Sequence, residues 1–130
     1  MNPSNPHDWF IKADRDFGLA NSTWLPKSEY PDLICHHSQQ AAEKFLKALI
    51  VYYKLPLRKT YNLEELLDIL TTADPTIGAD FYLEALKVKN YAVCIRYPDP
   101  SGDPSPADVA EALTSATFFR TFAANKLGVI

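Results

Sequence analysis

The sequence predicts an all-α protein, an up-and-down helical bundle of four long helices plus one short helix. Three observations lead to this prediction. Apolar residues recur at steps of three and four along five segments, which is the spacing of a helix with one buried face. Proline and small polar residues bound these segments, and no segment alternates as a half-buried strand would. The 130 residues fit a single domain over 1–130.

The first two helices are predicted on either side of a loop that contains proline. Helical periodicity runs from about Asp8 to Trp24, and Pro26 ends this first helix. The second helix runs from about Pro31, which suits a first-turn position, to Lys54. Long antiparallel helices with short connections are the elements of an up-and-down bundle.

The other three helices are predicted from their start signals. Asn62 followed by Glu65 resembles a capping box and opens the short third helix. A fourth helix covers roughly 79–96. A fifth covers roughly 106–127, with Ser105 as its N-cap. Between these two helices, the segment YPDPSGDPSP predicts an extended loop.

Composition and charge narrow the possible functions. The chain is 47% apolar and 22% charged with a formal net charge of −3, so it is neither disordered nor broadly basic, and nucleic-acid binding would need a local patch. Cys35 and Cys94 are too few for a disulfide framework, and the first residues lack a signal-peptide pattern. The longest apolar run, residues 48–53, is too short to cross a bilayer. We expect a cytoplasmic protein without a membrane anchor.

The segment CHHSQQAAEKFLKAL, residues 35–49, has the most unusual side chains. His36 and His37 point about 100° apart on a helix, and neither has a second ligand three or four residues later. We therefore expect no metal site. Cys35 lies near the edge of the apolar stripe, where a buried and inert thiol is expected.

The two flanks of the second helix differ in character. Glu43 and Lys47 are spaced for an i, i+4 ion pair on a polar face that we expect to be solvated. On the opposite flank, His37 and Lys44 lie beside Ala41, a small residue where another helix can come close. Two interpretations stay open for His37 and Lys44: a half-buried histidine with a snorkelling lysine, or a functional pair.

The fourth and fifth helices are apolar on two sides. Ala85 and Ala92 form a strip of small residues, and Phe118 and Phe122 lie on the far side of the fifth helix from its core stripe. A surface helix needs only one apolar face, so the second face predicts a partner surface. A homodimer that uses these four residues is the simplest assembly.

Four segments occur in a characteristic order: WFIKADRDFGLA, CHHSQQAAEKFLKAL, YNLEELL and RYPD. Together they resemble the HEPN family, the higher eukaryote and prokaryote nucleotide-binding domains, from Trp9 to about Leu127. The resemblance implies a helical bundle that is commonly a homodimer. For small prokaryotic members it also implies a minimal nucleotidyltransferase as partner in a toxin–antitoxin-like pair.

The resemblance also raises the question of catalysis. Many HEPN domains are metal-independent ribonucleases in which an arginine is followed four to six residues later by a histidine. Arg96 matches the arginine, but no histidine follows it in this chain, and Tyr61 stands where the family often has another. Metal-free RNA cleavage needs a base and an acid, so we assign no catalytic residue and expect no cofactor.

Arg96 is the leading candidate for phosphate binding, because a guanidinium can donate two parallel hydrogen bonds to phosphate. The candidate nucleotide- or RNA-binding residues are Arg96, Tyr97, His37, Lys44, Lys47 and Lys89. Arg96 also has a structural alternative, an ion pair with a carboxylate such as Asp16, and Arg120 is a rival partner for any buried acid.

Three functional hypotheses follow from the sequence. The first is a noncatalytic, dimeric HEPN module that binds a nucleotide or a nucleotidyltransferase partner. The second is a divergent metal-independent ribonuclease. The third is a helical scaffold without a ligand, whose basic residues serve solubility.

Overall fold

The computed structural model describes residues 1–88 and 102–129, where every regular element is a helix. The all-α prediction is confirmed over this part of the chain. None of these described helices is long and apolar enough to cross a membrane. Three of the helices are long and two are short, in the order α1 Pro6–Ala20, α2 Pro31–Tyr52, α3 Leu63–Thr71, α4 Ala79–Leu86 and α5 Pro106–Leu127.

Helix α1 begins at a side-chain cap and ends earlier than its apolar pattern predicts. The side chain of Asn5 accepts a hydrogen bond from the backbone N–H of His7 and so satisfies one free donor of the first turn. At the other end Asn21 is the C-cap. The prediction that this helix reaches Trp24 is wrong, because Trp24 lies beyond the cap and is 84% exposed.

Helix α2 is the central element, and α1, α3 and α5 all pack against it. Because three neighbours surround it, its buried residues are distributed around the helix axis instead of forming one stripe. The expectation of a solvated face at Glu43 and Lys47 is wrong, since each residue is only 8% exposed. The periodicity describes a one-sided helix, whereas the packing covers most of its surface.

Helix α4 is shorter than predicted in the described part of the chain. It ends at Leu86, whereas the sequence predicts a helix as far as Arg96. The backbone N–H groups of Lys87 and Val88 bond to carbonyls three residues back, which is the tighter pattern of a terminating turn. The rest of the predicted fourth helix, residues 89–101, lies outside the described residues.

Helix α5 has the bounds that the sequence predicts, because local residues fix both of its ends. Ser105 and Asp108 form a reciprocal capping box at its start. Gly128 stops it with a φ of 71°, a left-handed conformation that favours glycine. The imidazole Nε2 of His7, in the first turn of α1, lies 3.4 Å from the carbonyl oxygen of Leu127, so the start of α1 and the end of α5 are in contact.

A buried carboxylate joins the C-cap of α2, the loop after α3, and α5. Asp74 is 2% exposed and accepts hydrogen bonds from the hydroxyl groups of Tyr53 and Thr76, while the Lys126 ammonium lies 3.4 Å from its Oδ2. Burial alone would raise the pKa of Asp74, but the bonds from Thr76 and Tyr53 and the charge of Lys126 lower it to about 2. We call these four residues the Asp74 cluster.

Candidate functional site

The contact between α1 and α2 positions the candidate site. Phe10 and Phe17 of α1 pack on Phe45 of α2, with ring centroids 5.1 and 6.3 Å apart. Ala41 is fully buried, as expected for a small residue where a neighbouring helix approaches closely. Asp16, the residue before Phe17, is thereby brought to the polar flank of α2 that the sequence singled out.

Asp16 binds both candidates on that flank, and we call these three residues the Asp16 cluster. Its Oδ1 lies 3.0 Å from Nδ1 of His37, and its Oδ2 accepts a hydrogen bond from Nζ of Lys44 at 2.5 Å. Burial would raise the pKa of Asp16, but the hydrogen bonds from His37 and Lys44 and their charges lower it overall. The carboxylate is therefore ionised at neutral pH.

The Asp16 cluster is only partly closed to solvent. The side chains of His37 and Lys44 are 23% and 27% exposed, against 16% for Asp16. When Nδ1–H of His37 donates to the carboxylate, Nε2 is left as the acceptor of the neutral ring. The Lys44 ammonium has three donors, and Asp16 takes one of them. Both side chains are thus half-buried and still able to bind a further group.

Lys47, a third candidate on α2, has a different environment. Its ammonium donates to Oε2 of Glu43 at 3.2 Å, as the i, i+4 spacing predicts, and lies 5.8 Å from the centroid of the Trp9 ring. Lys47 is only 8% exposed. Its charge already has an ion-pair partner and an aromatic neighbour within the fold. Its contacts are those of a structural cation.

Arg120 also has a structural environment. Its Nε donates to Oδ1 of Asp14 at 2.7 Å, and its guanidinium carbon lies 5.6 and 5.5 Å from the ring centroids of Phe10 and Phe17. The hydrogen bond from Arg120 to Asp14 raises the pKa of the arginine. The sequence suggests Arg120 as a partner for a buried acid such as Asp16. The structure pairs Arg120 with Asp14 instead, and Asp16 binds two residues of α2.

Four of the predicted site residues lie within 89–101, outside the described residues: Arg96, Tyr97, Lys89 and Ala92. Their roles in binding or in a dimer contact stay predictions. Among the described residues, the structure brings together two members of the predicted binding set, His37 and Lys44.

The other predicted interface residues contact their own chain. Ala85 is 2% exposed, and the rings of Phe118 and Phe122 lie 5.0 and 4.7 Å from that of Phe81 in α4. Phe118 and Phe122 are therefore half-buried and not the fully exposed residues that the sequence suggests. The outward apolar side chains of α4 are Leu83 and Leu86, which are 62% and 52% exposed. The homodimer itself stays a prediction.

A surface pocket next to the Asp16 cluster was not anticipated from the sequence. It has a volume of about 390 Å³. The Trp9 indole N–H donates to the carbonyl of Pro3 at 2.8 Å, and Asp8 accepts the N–H of Asn2 at 2.8 Å, so the N-terminal segment folds back over α1. We call it the Trp9 pocket; its lining residues are Met1, Asn2, Pro3, Asp8, Trp9, Lys12 and Lys44.

His36 and His37 are adjacent in α2, and the described residues around them provide no metal centre. The rings of His36 and His37 contact each other edge to face, with centroids 5.3 Å apart. Within residues 1–88 and 102–129, no three histidine, cysteine or carboxylate side chains lie close enough together to hold a metal ion.

The fold and the Asp16 cluster define a class of protein, a small helical-bundle domain with a polar cluster between its first two long helices. The model of the HEPN domain matches residues 6–127, and the chain belongs to the HEPN family. The crystal structure of ST0689, an archaeal HEPN homologue, superimposes with a TM-score of 0.72, covering 97% of this chain and 98% of that one. At 23% identity, this similarity shows the shared fold. No curated protein matches the chain significantly.

Proposed function

We propose that this HEPN protein is a noncatalytic, dimeric module that binds a nucleotide or a minimal nucleotidyltransferase partner, as one half of a toxin–antitoxin-like pair. The observation that carries the proposal is the position of the histidines. The chain has three of them, and all precede Arg96, so the arginine lacks the following histidine found in ribonucleases of the family. Loss of a positioned histidine typically costs about 10²–10⁴ in rate.

What the chain retains is a set of cations suited to phosphate. Arg96 provides a guanidinium for bidentate binding, with Lys89 and Tyr97 nearby in sequence. Lys44 has two ammonium donors beyond the one that binds Asp16. Lys47 is left out of this set, because it is buried against Glu43 and Trp9.

Substitution of Arg96 tests the binding proposal. We expect Arg96→Ala to weaken nucleotide or RNA binding by about 1.5–3 kcal/mol, the usual contribution of a charge-assisted hydrogen bond, with an almost unchanged melting temperature. The exposed Arg58 provides a matched control, and Arg58→Ala should leave affinity unchanged. If Arg96 is a structural ion-pair partner, its loss costs about 3–5 kcal/mol of stability instead. Absence of binding to the wild type at low salt would contradict the proposal.

The dimer and the protein partner need separate tests. A dimer that buries the typical area of about 1,600 Å² in total is stable at micromolar concentration. We therefore expect light scattering at this concentration to give twice the chain mass. A monomer under these conditions would contradict the dimer. An adjacent gene for a minimal nucleotidyltransferase, whose product co-purifies with this chain, would support the partner.

A metal-independent ribonuclease is the second candidate, and the contact between Asp16 and His37 favours it. A carboxylate that binds Nδ1 of a histidine orients the ring and leaves Nε2 to take a proton, which is the arrangement of a general base. RNA cleavage that survives a chelator and is lost in His37→Ala, but not in His36→Ala, would support this activity. If the chain neither binds nor cleaves these ligands, the scaffold hypothesis is favoured.

A further inference from the structure

The Trp9 pocket contains an aromatic surface that is held in place before any ligand arrives. The hydrogen bond from the indole N–H to Pro3 fixes the ring at one edge, and the ammonium of Lys47 lies 5.8 Å from its centroid. Because Lys47 is itself bound to Glu43, the support of the ring is also fixed. A planar ligand can stack on such a ring without the loss of conformational entropy that ordering a mobile tryptophan would cost.

Cationic side chains line the same pocket from two helices. Lys12 lies one turn after Trp9 on α1; it is exposed and makes no ion pair with any described residue. Lys44 reaches the pocket from α2 with donors to spare. Two ammonium groups beside an aromatic ring favour a ligand that carries a planar ring and a phosphate.

The carboxylate of Asp8 also lines the pocket and favours a different part of a ligand. Asp8 uses Oδ2 to accept the backbone N–H of Asn2, and a carboxylate has capacity for further hydrogen-bond donors. It repels a phosphate and attracts a hydroxyl or amino group. A ligand that satisfies the whole pocket therefore has a ring, a separate donor group and a phosphate, and the volume of about 390 Å³ lies in the range of small-molecule sites.

We propose that the Trp9 pocket binds a nucleoside monophosphate, with the base on Trp9, the phosphate at Lys12 and Lys44, and a hydroxyl or amino group at Asp8. The inference rests on the proposed function, because both require that the chain binds a nucleotide. The proposed function holds wherever the nucleotide binds, and the inference places it on α1.

Tryptophan fluorescence provides a direct test. The chain has two tryptophans, and the exposed Trp24 can be replaced in a Trp24→Phe background so that emission reports on Trp9 alone. Adenosine monophosphate should quench this emission to saturation. Adenosine alone and inorganic phosphate alone should each bind at least about tenfold more weakly, because each lacks one of the two main contacts.

Paired lysine and arginine variants locate the site. Lys12→Ala should weaken adenosine monophosphate binding about tenfold, whereas Arg15→Ala, which removes another exposed cation of α1, should not change it. Both substitutions are on the surface, so thermal melting should be unaffected. Equal losses in the two variants, or inorganic phosphate binding as tightly as the nucleotide, would overturn the proposal.

The outcome for Arg96 separates this inference from the proposed function. Binding that is lost in Arg96→Ala and kept in Lys12→Ala overturns the Trp9 pocket while the proposed function stands. Binding lost in Lys12→Ala and kept in Arg96→Ala supports the Trp9 pocket and removes Arg96 from the nucleotide site.

Discussion

The Asp74 cluster and the Asp16 cluster are each built around an aspartate whose pKa is lowered, but they differ in what surrounds the carboxylate. The side chain of Asp74 is 2% exposed, and the residues that bind it are the C-cap of α2, a loop residue and a residue of α5. The side chain of Asp16 is 16% exposed and binds two residues of one helix. The Asp74 cluster is thus closed around its carboxylate, whereas the Asp16 cluster is open at its carboxylate to water or a ligand.

The difference in closure gives the first prediction, which is also the largest expected effect. Asp74→Ala removes the acceptor of Tyr53 and Thr76 and leaves Lys126 without its carboxylate. We expect a loss of about 3–5 kcal/mol in the free energy of unfolding, measured by urea denaturation. Asp103→Ala, at an exposed loop position, is the control and should cost less than about 0.5 kcal/mol. A cost for Asp74→Ala as small as that of the control would show that the cluster is not structural.

The pH dependence of stability tests the same cluster without removing it. The pKa of Asp74 is lowered from its ordinary value of 3.8 to about 2, so its contribution is complete above pH 4 and is lost as the pH falls through about 2. This contribution amounts to about 2 kcal/mol. Asp74→Asn should therefore flatten the stability profile at acid pH. A profile with the wild-type slope in this variant would contradict the assignment.

Arg120 tests a contact of intermediate exposure. Arg120→Ala removes the hydrogen bond to Asp14 and the stacking on Phe10 and Phe17. We expect a loss of about 1–2 kcal/mol in thermal or urea unfolding, because the pair is partly exposed and the aromatic contacts add to it. Arg120→Lys should recover only part of this loss, since lysine lacks the planar fork. Full recovery of stability in Arg120→Lys would mean that the positive charge alone accounts for the contribution of Arg120.

The open cluster gives the smallest stability effect and a gain in binding. Asp16→Asn should cost about 1 kcal/mol of stability, because His37 and Lys44 can still reach water. It should raise the affinity for adenosine monophosphate about threefold, since the carboxylate no longer neutralises Lys44. Isothermal titration measures this change. Unchanged affinity would show that Lys44 takes no part in binding.

The sequence predicts helix ends where the signals are local. Ser105 and Pro106 predict the start of α5, and the predicted bounds of 106–127 are confirmed. Apolar spacing is a weaker guide to helix ends, because it does not distinguish a buried tryptophan from an exposed one. The spacing of Trp24 therefore predicts an end of α1 that is too late. Lys47 lies beside Trp9 of α1, and its burial is not encoded in the spacing of α2 alone.

The sequence predicts only part of the Asp16 cluster. The spacing of His37 and Lys44 predicts that they share one flank of a helix, and it leaves their role open. Their shared acceptor, Asp16, is 21 and 28 residues away, and a single sequence does not specify which α1 carboxylate faces them. The Trp9 pocket also depends on Pro3 folding back over α1, a tertiary contact without a helical periodicity to indicate it.

The contact between His7 and Leu127 has a practical consequence for engineering the domain. Because the first turn of α1 and the last turn of α5 touch, a short peptide could connect them, and new chain ends could be opened in an exposed loop such as the one that contains Arg58. Such a circular permutant should keep the bundle. Because Met1 and Asn2 line the Trp9 pocket, a tag fused before Met1 would start at the pocket, so ligand measurements need a tag that can be removed.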